Sequence, residues 1–70
     1  MEIEIRLYTG MFKSMRMILD NEVEIVDVLD KVGVKKEEVE FVTVNGCCKE
    51  LDERIKDGDI LTIFPPLAGG

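Results

Sequence analysis

The 70-residue sequence contains no histidine and no tryptophan, and it has only two cysteines and two prolines. Histidine is the commonest general base and the commonest neutral metal ligand in proteins. Its absence argues against self-contained hydrolytic chemistry and against a zinc site, so we expect no enzyme active site, no metal and no bound cofactor. The length is enough for one domain, near the lower limit for a fold held by a single core.

Long hydrophobic runs are also absent. No apolar stretch approaches the length that crosses a membrane, and the opening residues MEIEIRLY carry acidic charges where a signal peptide carries basic ones. We therefore expect no membrane association and a cytoplasmic protein.

Basic residues are in the minority, with nine Lys and Arg against fifteen Asp and Glu, which gives a net charge of -6. A phosphate backbone would be repelled by most of such a surface, so nucleic acid is not an expected partner. An acidic surface instead favours encounter with a basic surface on another protein.

The two cysteines, Cys47 and Cys48, are adjacent. A bridge between neighbours closes no useful loop and strains the peptide between them. The pair also lacks the spacer of a Cys-x-x-Cys site and any further ligands. We predict reduced strand residues, one facing inward and one outward, with a secondary reactive site as the alternative if they are exposed.

The N-terminal half predicts a hairpin followed by a helix. Residues 2–8 alternate apolar and polar side chains, and residues 14–20 resume the alternation after a turn that contains Gly10. From Glu24 the period changes, and an apolar stripe of a helix follows that ends at Gly33. The stripe consists of Ile25, Val28, Leu29 and Val32.

The C-terminal half predicts a second hairpin and a final strand. The segment EFVTVNG is a strand that leads into Asn45-Gly46, a strong signal for a type I′ turn. Cys47 and Cys48 then begin the return strand. Residues 51–59 predict a short helical turn and a tight turn at Gly58, and the strand at residues 60–64 must leave the sheet at Pro65.

Two hairpins flanking one helix predict an α+β fold of the β-grasp type. Its mixed sheet has four to five strands packed on one helix, with the first and last strands side by side. We divide the chain into a β-grasp domain, residues 1–64, and a flexible tail, residues 65–70. The predicted core consists of Ile3, Ile5, Leu7, Met17, Leu19, Val28, Leu29, Val32, Val42, Val44, Leu61 and Ile63.

A partner-binding surface is expected on the opposite face of the sheet. If Leu61 and Ile63 face the helix, the outward side chains are Ile60, Thr62 and Phe64 on the last strand and Phe41 and Thr43 beside it. Such a face is usually polar, so exposed aromatic rings there are a candidate for partner recognition. Met11 and Phe12 either extend this surface or cap the core.

The tail FPPLAGG suggests a segment that enters a partner. Gly69 and Gly70 leave the final carboxylate unencumbered, and the prolines reduce the entropy lost on binding. Six residues from Pro65 reach on the order of 20 Å when extended. Taken alone, these residues are equally consistent with a disordered terminus.

Three segments carry a family resemblance: VNG at 44–46, DGDILTIFPP at 57–66 and AGG at 68–70. Together they resemble the ubiquitin-like sulfur carriers, which include the molybdopterin synthase small subunit and the thiamine-biosynthesis sulfur carrier. The diproline step is more similar to the molybdopterin type.

The resemblance implies that an adenylyltransferase similar to ubiquitin-activating enzymes uses ATP to adenylate the Gly70 carboxylate. A sulfur donor then converts the carboxylate to a thiocarboxylate that donates sulfur. In the molybdopterin branch, the tail with Gly69 and Gly70 first inserts into the large synthase subunit. The residues implied to bind the partner there are Phe64, Pro65, Pro66, Leu67 and Ala68. The protein would be a cosubstrate and subunit. A thiamine or tRNA-thiolation carrier, a protein modifier conjugated through Gly70 and a plain interaction module remain alternatives.

Overall fold

The computed structural model describes residues 1–8 and 11–66, apart from the side chain of Phe12. The predicted N-terminal hairpin is present as β1, Glu2–Tyr8, and β2, Phe12–Ile18. Their antiparallel register runs from Glu2 opposite Ile18 to Tyr8 opposite Phe12. The boundaries predicted for the second strand, residues 14–20, were two residues late, because β2 pairs along the whole length of β1.

The helix follows a two-residue strand that the sequence did not predict. β3 is Val23–Glu24 and α1 is Ile25–Val32. The N–H groups of Ile25 and Val26 donate to the carbonyl oxygens of Glu53 and Leu51, both at 2.9 Å. A later loop therefore satisfies helix donors that have no partner inside the helix.

The helix ends where the sequence predicts. Gly33 has φ 89° and donates its N–H to the carbonyl oxygen of Leu29 at 3.0 Å. One short 3-10 turn, Lys36–Glu38, then occupies the charged connection before the next strand.

The second hairpin consists of β4, Phe41–Val44, and β5, Cys47–Lys49. Asn45 and Gly46 have φ of 53° and 87°, as a type I′ turn requires, so the turn prediction is confirmed. Cys47 lies opposite Val44 and Cys48 opposite Thr43, so the two cysteines are on opposite faces of the sheet, as predicted, but both are exposed. Burial ends at β4: Val44 is buried, whereas Cys47, directly opposite it, is not.

Residues 51–59 begin with one hydrogen-bonded turn, in which the N–H of Glu53 donates to the carbonyl oxygen of Glu50 at 3.1 Å, but no helix follows it. Instead, β6, Arg54–Ile55, pairs antiparallel with β3, and Val23 lies opposite Ile55. The pairing brings the fully buried Ile55 side chain into the core. The tight turn that follows was predicted correctly, since Gly58 has φ 84°.

The last strand, β7, is Ile60–Phe64, and it lies in the middle of a five-stranded sheet. The strand order is β2-β1-β7-β4-β5, with β7 parallel to β1 and antiparallel to β4. The predicted α+β arrangement, a mixed sheet with one helix and with the first and last strands adjacent, is confirmed. The boundary between the domain and the tail stays a prediction, because residues 67–70 lie outside the described residues.

The core lies between α1 and the inner face of the sheet. Nine of its eleven members belong to the predicted core, and the other two, Ile25 and Ile55, were omitted from that prediction. Three predicted members, Leu7, Met17 and Val32, are only partly buried and pack against the cluster. The buried residues are Ile3, Ile5, Leu19, Ile25, Val28, Leu29, Val42, Val44, Ile55, Leu61 and Ile63.

Within the described residues, α1 is far shorter than a membrane-crossing helix, and no other helix is long and apolar enough for that role.

Candidate functional site

Three aromatic side chains come together where β7 ends. Phe41 and Phe64 lie directly opposite each other across β4 and β7, and their rings stack with centroids 4.5 Å apart and planes 14° apart. Tyr8, at the end of the neighbouring β1, has its ring centroid 6.1 Å from that of Phe64. Phe41 is 45% exposed, so the stack presents an aromatic face to solvent.

These rings and the two prolines enclose a shallow apolar cavity of about 320 Å³. Glu40 is the one charged residue among its described lining residues. We call this region the aromatic surface, and it consists of Tyr8, Glu40, Phe41, Phe64, Pro65 and Pro66. Its chemistry suits the burial of an apolar side chain or backbone segment of another protein, because aromatic rings supply large contact area at low entropic cost.

The backbone leaves the sheet at the aromatic surface. The N–H of Glu40 donates to the carbonyl oxygen of Phe64 at 2.8 Å, which fixes the end of β7. Pro65, which is half-buried, and Pro66, which is exposed, follow and have no N–H to donate to a neighbouring strand. The residues before the tail are therefore held rigidly, and the direction in which the chain departs is set by the sheet.

The structure separates one predicted partner-binding residue from the others. Ile60 lies on the same face as Phe64 but at the opposite end of β7, four residues or roughly 13 Å away. It lines a different cavity together with Glu2, Glu4 and Asp57. The aromatic surface thus contains Phe41 but not Ile60.

The remaining predicted site residues, Leu67, Ala68, Gly69 and Gly70, lie outside the described residues. Met11, which the sequence placed either on this surface or over the core, is 66% exposed. The structure describes no side chain for Phe12, so its predicted role is not tested.

Sequence reasoning missed Tyr8 as part of the site. The alternation of β1 places Tyr8 on the outward face, and the first and last strands were expected to be neighbours. Combining the two predictions would have placed Tyr8 beside Phe64, since Leu7 lies opposite Ile63 in the parallel pair.

Asn45 is the second residue whose role sequence reasoning missed. Its side-chain amide donates to the carboxylate of Asp59 at 3.0 Å, and its amide oxygen accepts the N–H of Ile60 at 3.0 Å. The Asn-Gly turn is thereby tied to the Asp-Gly-Asp turn and to the first residue of β7. Two motifs that are distant in sequence thus act together to position the strand that leads to the tail.

Charged side chains lie on β1 and β2 toward the end of the sheet away from Tyr8. The Nε of Arg6 donates to the carboxylate of Glu4 at 2.5 Å. The Nη1 of Arg16 lies 3.4 Å from the Oε2 of Glu2. All four side chains are substantially exposed, so these ion pairs contribute little to stability. They give the outward face a polar half that contrasts with its aromatic end.

Within the described residues, no group of three or more acidic or cysteine side chains is close enough to hold a metal ion. A second cavity, of about 470 Å³, adjoins the aromatic surface through Glu40 and Phe41 and extends to Cys48 on β5.

Comparison with known families gives a match over most of the chain. The model of the family described as Mut7-C ubiquitin matches residues 11–68. No curated protein sequence matches the chain.

Several solved structures also have a fold similar to that of this chain. SAMP1, the small archaeal modifier protein 1 of Haloferax volcanii, is 26% identical, with 99% of each chain covered and a TM-score of 0.69. A putative molybdopterin converting factor subunit 1 from Pyrococcus furiosus is 23% identical, with 94% of this chain and 98% of that chain covered and a TM-score of 0.73.

A third similar structure is a complex of subunits 1 and 2 of the molybdopterin-converting factor from Helicobacter pylori. The matching chain is 22% identical, with 100% of both chains covered and a TM-score of 0.68. These neighbours confirm the β-grasp prediction, and together with the family match they confirm the expected resemblance to the ubiquitin-like sulfur carriers.

Proposed function

Because the chain belongs to the Mut7-C ubiquitin family, we propose that it is a sulfur carrier whose Gly70 carboxylate becomes a thiocarboxylate. An activating enzyme uses ATP to form the acyl-adenylate of Gly70, and a sulfur donor then displaces AMP. The carrier gives up this sulfur in molybdopterin biosynthesis.

One observation carries the proposal: the chain leaves the sheet from its central strand, beside an exposed aromatic surface. β7 is held by β1 on one side and β4 on the other, so the start of the tail has a fixed position relative to Phe41 and Phe64. A partner that docks on the aromatic surface would receive the tail in a defined direction. Preorganisation of this kind lowers the entropic cost of placing a reactive group.

The carrier is a cosubstrate in this proposal. Its sequence has no histidine, and the described lining of the aromatic surface has two titratable side chains, Tyr8 and Glu40. Activation of the carboxylate therefore falls to the partner enzyme, which resembles ubiquitin-activating adenylyltransferases. The role of the carrier is to present Gly69 and Gly70 in an extended form that a narrow channel admits.

A second partner, the acceptor of the sulfur, is proposed to be a large synthase subunit or an equivalent protein. The Helicobacter pylori structure supports this proposal, since there subunit 1 of molybdopterin-converting factor is in complex with subunit 2. The net charge of -6 favours a basic docking surface on either partner.

The alternative is a protein modifier that is conjugated through Gly70 to a lysine of another protein. The 26% identity to the small archaeal modifier protein 1 over 99% of both chains favours this alternative. Both functions start from the same acyl-adenylate, and they differ in whether a sulfur donor or a lysine amine displaces AMP. A carrier for thiamine synthesis or tRNA thiolation uses the sulfur in the same way and differs only in the acceptor.

A reconstitution experiment distinguishes these functions. The protein is incubated with its cognate activating enzyme, ATP and a sulfur donor, and its mass is measured with and without the donor. A donor-dependent gain that matches the exchange of one oxygen for sulfur, absent when Gly70 is deleted, supports the carrier. Isopeptide-linked products with only the carboxylate form of the free protein would support the modifier instead.

A further inference from the structure

Glu40 is held beside the aromatic rings by a β-bulge. Phe41 lies opposite Phe64 in the register of β4 and β7, yet the N–H of Glu40 donates to the carbonyl oxygen of that same Phe64 at 2.8 Å. Two consecutive residues therefore face one residue of β7, which is the arrangement of a β-bulge. A regular strand would turn Glu40 to the inner face with the buried Val42. Glu40 is instead exposed, and it lines the aromatic surface together with Phe41.

The Glu40 carboxylate has no partner within the part of the chain that the structure describes. The nearest cations along the chain are Lys36 and Lys49. The Nζ of Lys49 lies 3.8 Å from a carboxylate oxygen of Glu53, and neither lysine forms an ion pair with Glu40. No described N–H or O–H group donates to the Glu40 carboxylate either. This carboxylate is therefore available to a cation of another molecule.

The Phe41 ring has one open face. Phe64 covers the other face, with the two ring planes 14° apart. The side of Phe41 away from Phe64 borders the adjoining cavity of about 470 Å³, which Glu40 also lines. The pairing of β4 with β5 ends at Val42 opposite Lys49, so no β5 residue lies opposite Phe41. An aromatic face and an unpaired carboxylate thus lie side by side at the opening of this cavity.

The charges of the adjoining cavity favour a cation. Its described lining contains the three carboxylates of Glu40, Glu50 and Glu53 and one ammonium group, that of Lys49. Lys49 pairs with Glu53, which also accepts the N–H of Glu50 at 2.7 Å, so the Glu53 carboxylate is already engaged. The remaining charge is negative, so the cavity attracts a cationic side chain of a partner and repels a carboxylate.

We propose that a partner protein inserts an arginine into this cavity, with its guanidinium group on the open face of Phe41 and paired with the Glu40 carboxylate. The inference rests on the proposed function for the identity of this partner, which is the activating enzyme that docks on the aromatic surface. A bidentate pair between a guanidinium and a carboxylate has a defined geometry, so it fixes the orientation in which the two proteins dock. Glu40 is therefore a specificity-determining residue for the partner.

The aromatic face and the carboxylate together fit arginine better than lysine. A guanidinium group is planar, so it can lie flat on an aromatic ring while its N–H groups point sideways to a carboxylate. The ammonium group of lysine is compact and more strongly hydrated, so its transfer from water onto a ring is less favourable. Glu40 and Phe41 are adjacent in sequence, and the β-bulge places both side chains at the same opening, as this double contact requires.

The test measures binding of Glu40→Gln to the cognate activating enzyme, with Glu37→Gln as the matched control. Both substitutions remove one negative charge from an exposed residue, but Glu37 lies on the 3-10 turn and lines a different cavity, with Val26 and Asp30. We expect Glu40→Gln to raise Kd about tenfold, mainly through faster dissociation, because a charge-assisted hydrogen bond is lost. Glu37→Gln should leave the dissociation rate unchanged. Formation of the thiocarboxylate at saturating enzyme, measured on the same variants, should persist and reports on the proposed function separately.

Chemical footprinting of the enzyme identifies the other half of the pair. Phenylglyoxal modifies arginine side chains, and we expect the wild type and Glu37→Gln to protect an arginine of the enzyme that Glu40→Gln leaves reactive. Equal Kd values for the two variants would overturn the proposal, since Glu40 would then be a solvated surface charge. Protection of a lysine from acetic anhydride, with no arginine protected, would refute the choice of arginine. A wild-type protein that neither binds the enzyme nor forms a thiocarboxylate would refute the proposed function, and this inference with it.

Discussion

Replacement of Phe41 by alanine separates the role of the aromatic surface in binding from its role in folding. The Phe41 ring stacks on Phe64 but is 45% exposed, so the domain loses an aromatic pair and not a core side chain. Such a pair contributes about 1 kcal/mol beyond area burial. A 70-residue domain has roughly 4–10 kcal/mol of stability, so the variant stays folded.

The effect on binding is expected to be larger. Truncation of a central aromatic residue in a protein interface typically costs about 2 kcal/mol or more. That loss corresponds to an increase of about thirtyfold in Kd. Calorimetric titration of the variant with the cognate activating enzyme measures this change, and urea unfolding of the same preparation measures the loss of stability.

Ile18→Ala is the matched control for Phe41→Ala. Ile18 is 79% exposed and lies opposite Glu2, at the end of β1 farthest from Tyr8. Its truncation removes exposed apolar surface without touching the aromatic surface, so Kd should not change. An unchanged Kd for Phe41→Ala, with the protein folded, would refute the argument that this surface docks the partner.

The other predictions concern the fold and the tail. Ile55→Ala should lower the free energy of unfolding by about 2–5 kcal/mol, because this side chain is fully buried; urea denaturation checks it, and a loss no larger than that of Ile18→Ala would contradict the assigned core. Asn45→Ala should cost about 1–3 kcal/mol by the same assay, through lost hydrogen bonds and a strained positive φ. Asn45→Gly relieves the strain but not the hydrogen bonds and should lie between Asn45→Ala and wild type; equal stability of all three would contradict the role of the side chain. Deletion of Gly70 should leave the thermal midpoint unchanged while abolishing sulfur transfer, and a large drop in the midpoint would contradict a tail that is independent of the core.

The main elements could be predicted from sequence because their patterns are long or chemically distinctive. β1 alternates over seven residues, and its buried side chains are those the alternation selects. The Asn45-Gly46 turn is fixed by two positive φ values that few other residue pairs adopt. In these segments local preference and tertiary packing agree, so the sequence pattern is sufficient.

The elements that were missed are short and depend on contacts distant in sequence. β6 has two residues, too few for any period, and Ile55 has only charged residues within two positions on either side in the segment LDERIKDGD. Its burial follows from the pairing with Val23, which lies 32 positions earlier in the chain. The exposure of Cys47 likewise depends on how far the inner face of the sheet is covered, which alternation along the strand does not encode.

The candidate site was partly predictable, because strand alternation assigns each residue to a face of the sheet. The outward register of Phe41 and Phe64 follows from strand alternation, and the structure places the two rings in contact. Alternation also groups Ile60 with Phe64, but it gives no distance along the strand. Tyr8 joins the surface only through the β1–β7 pairing, which requires two separate predictions to be combined.

Mass spectrometry of the C-terminal peptide, from protein purified out of its native host, tests the proposed function most directly. The peptide that ends in Gly69-Gly70 should carry a mass gain equal to the exchange of one oxygen for sulfur, and an alkylating reagent specific for thiocarboxylates should label Gly70. A peptide found only as the free carboxylate, with Gly-Gly remnants on the lysines of other proteins, would contradict the sulfur-carrier function.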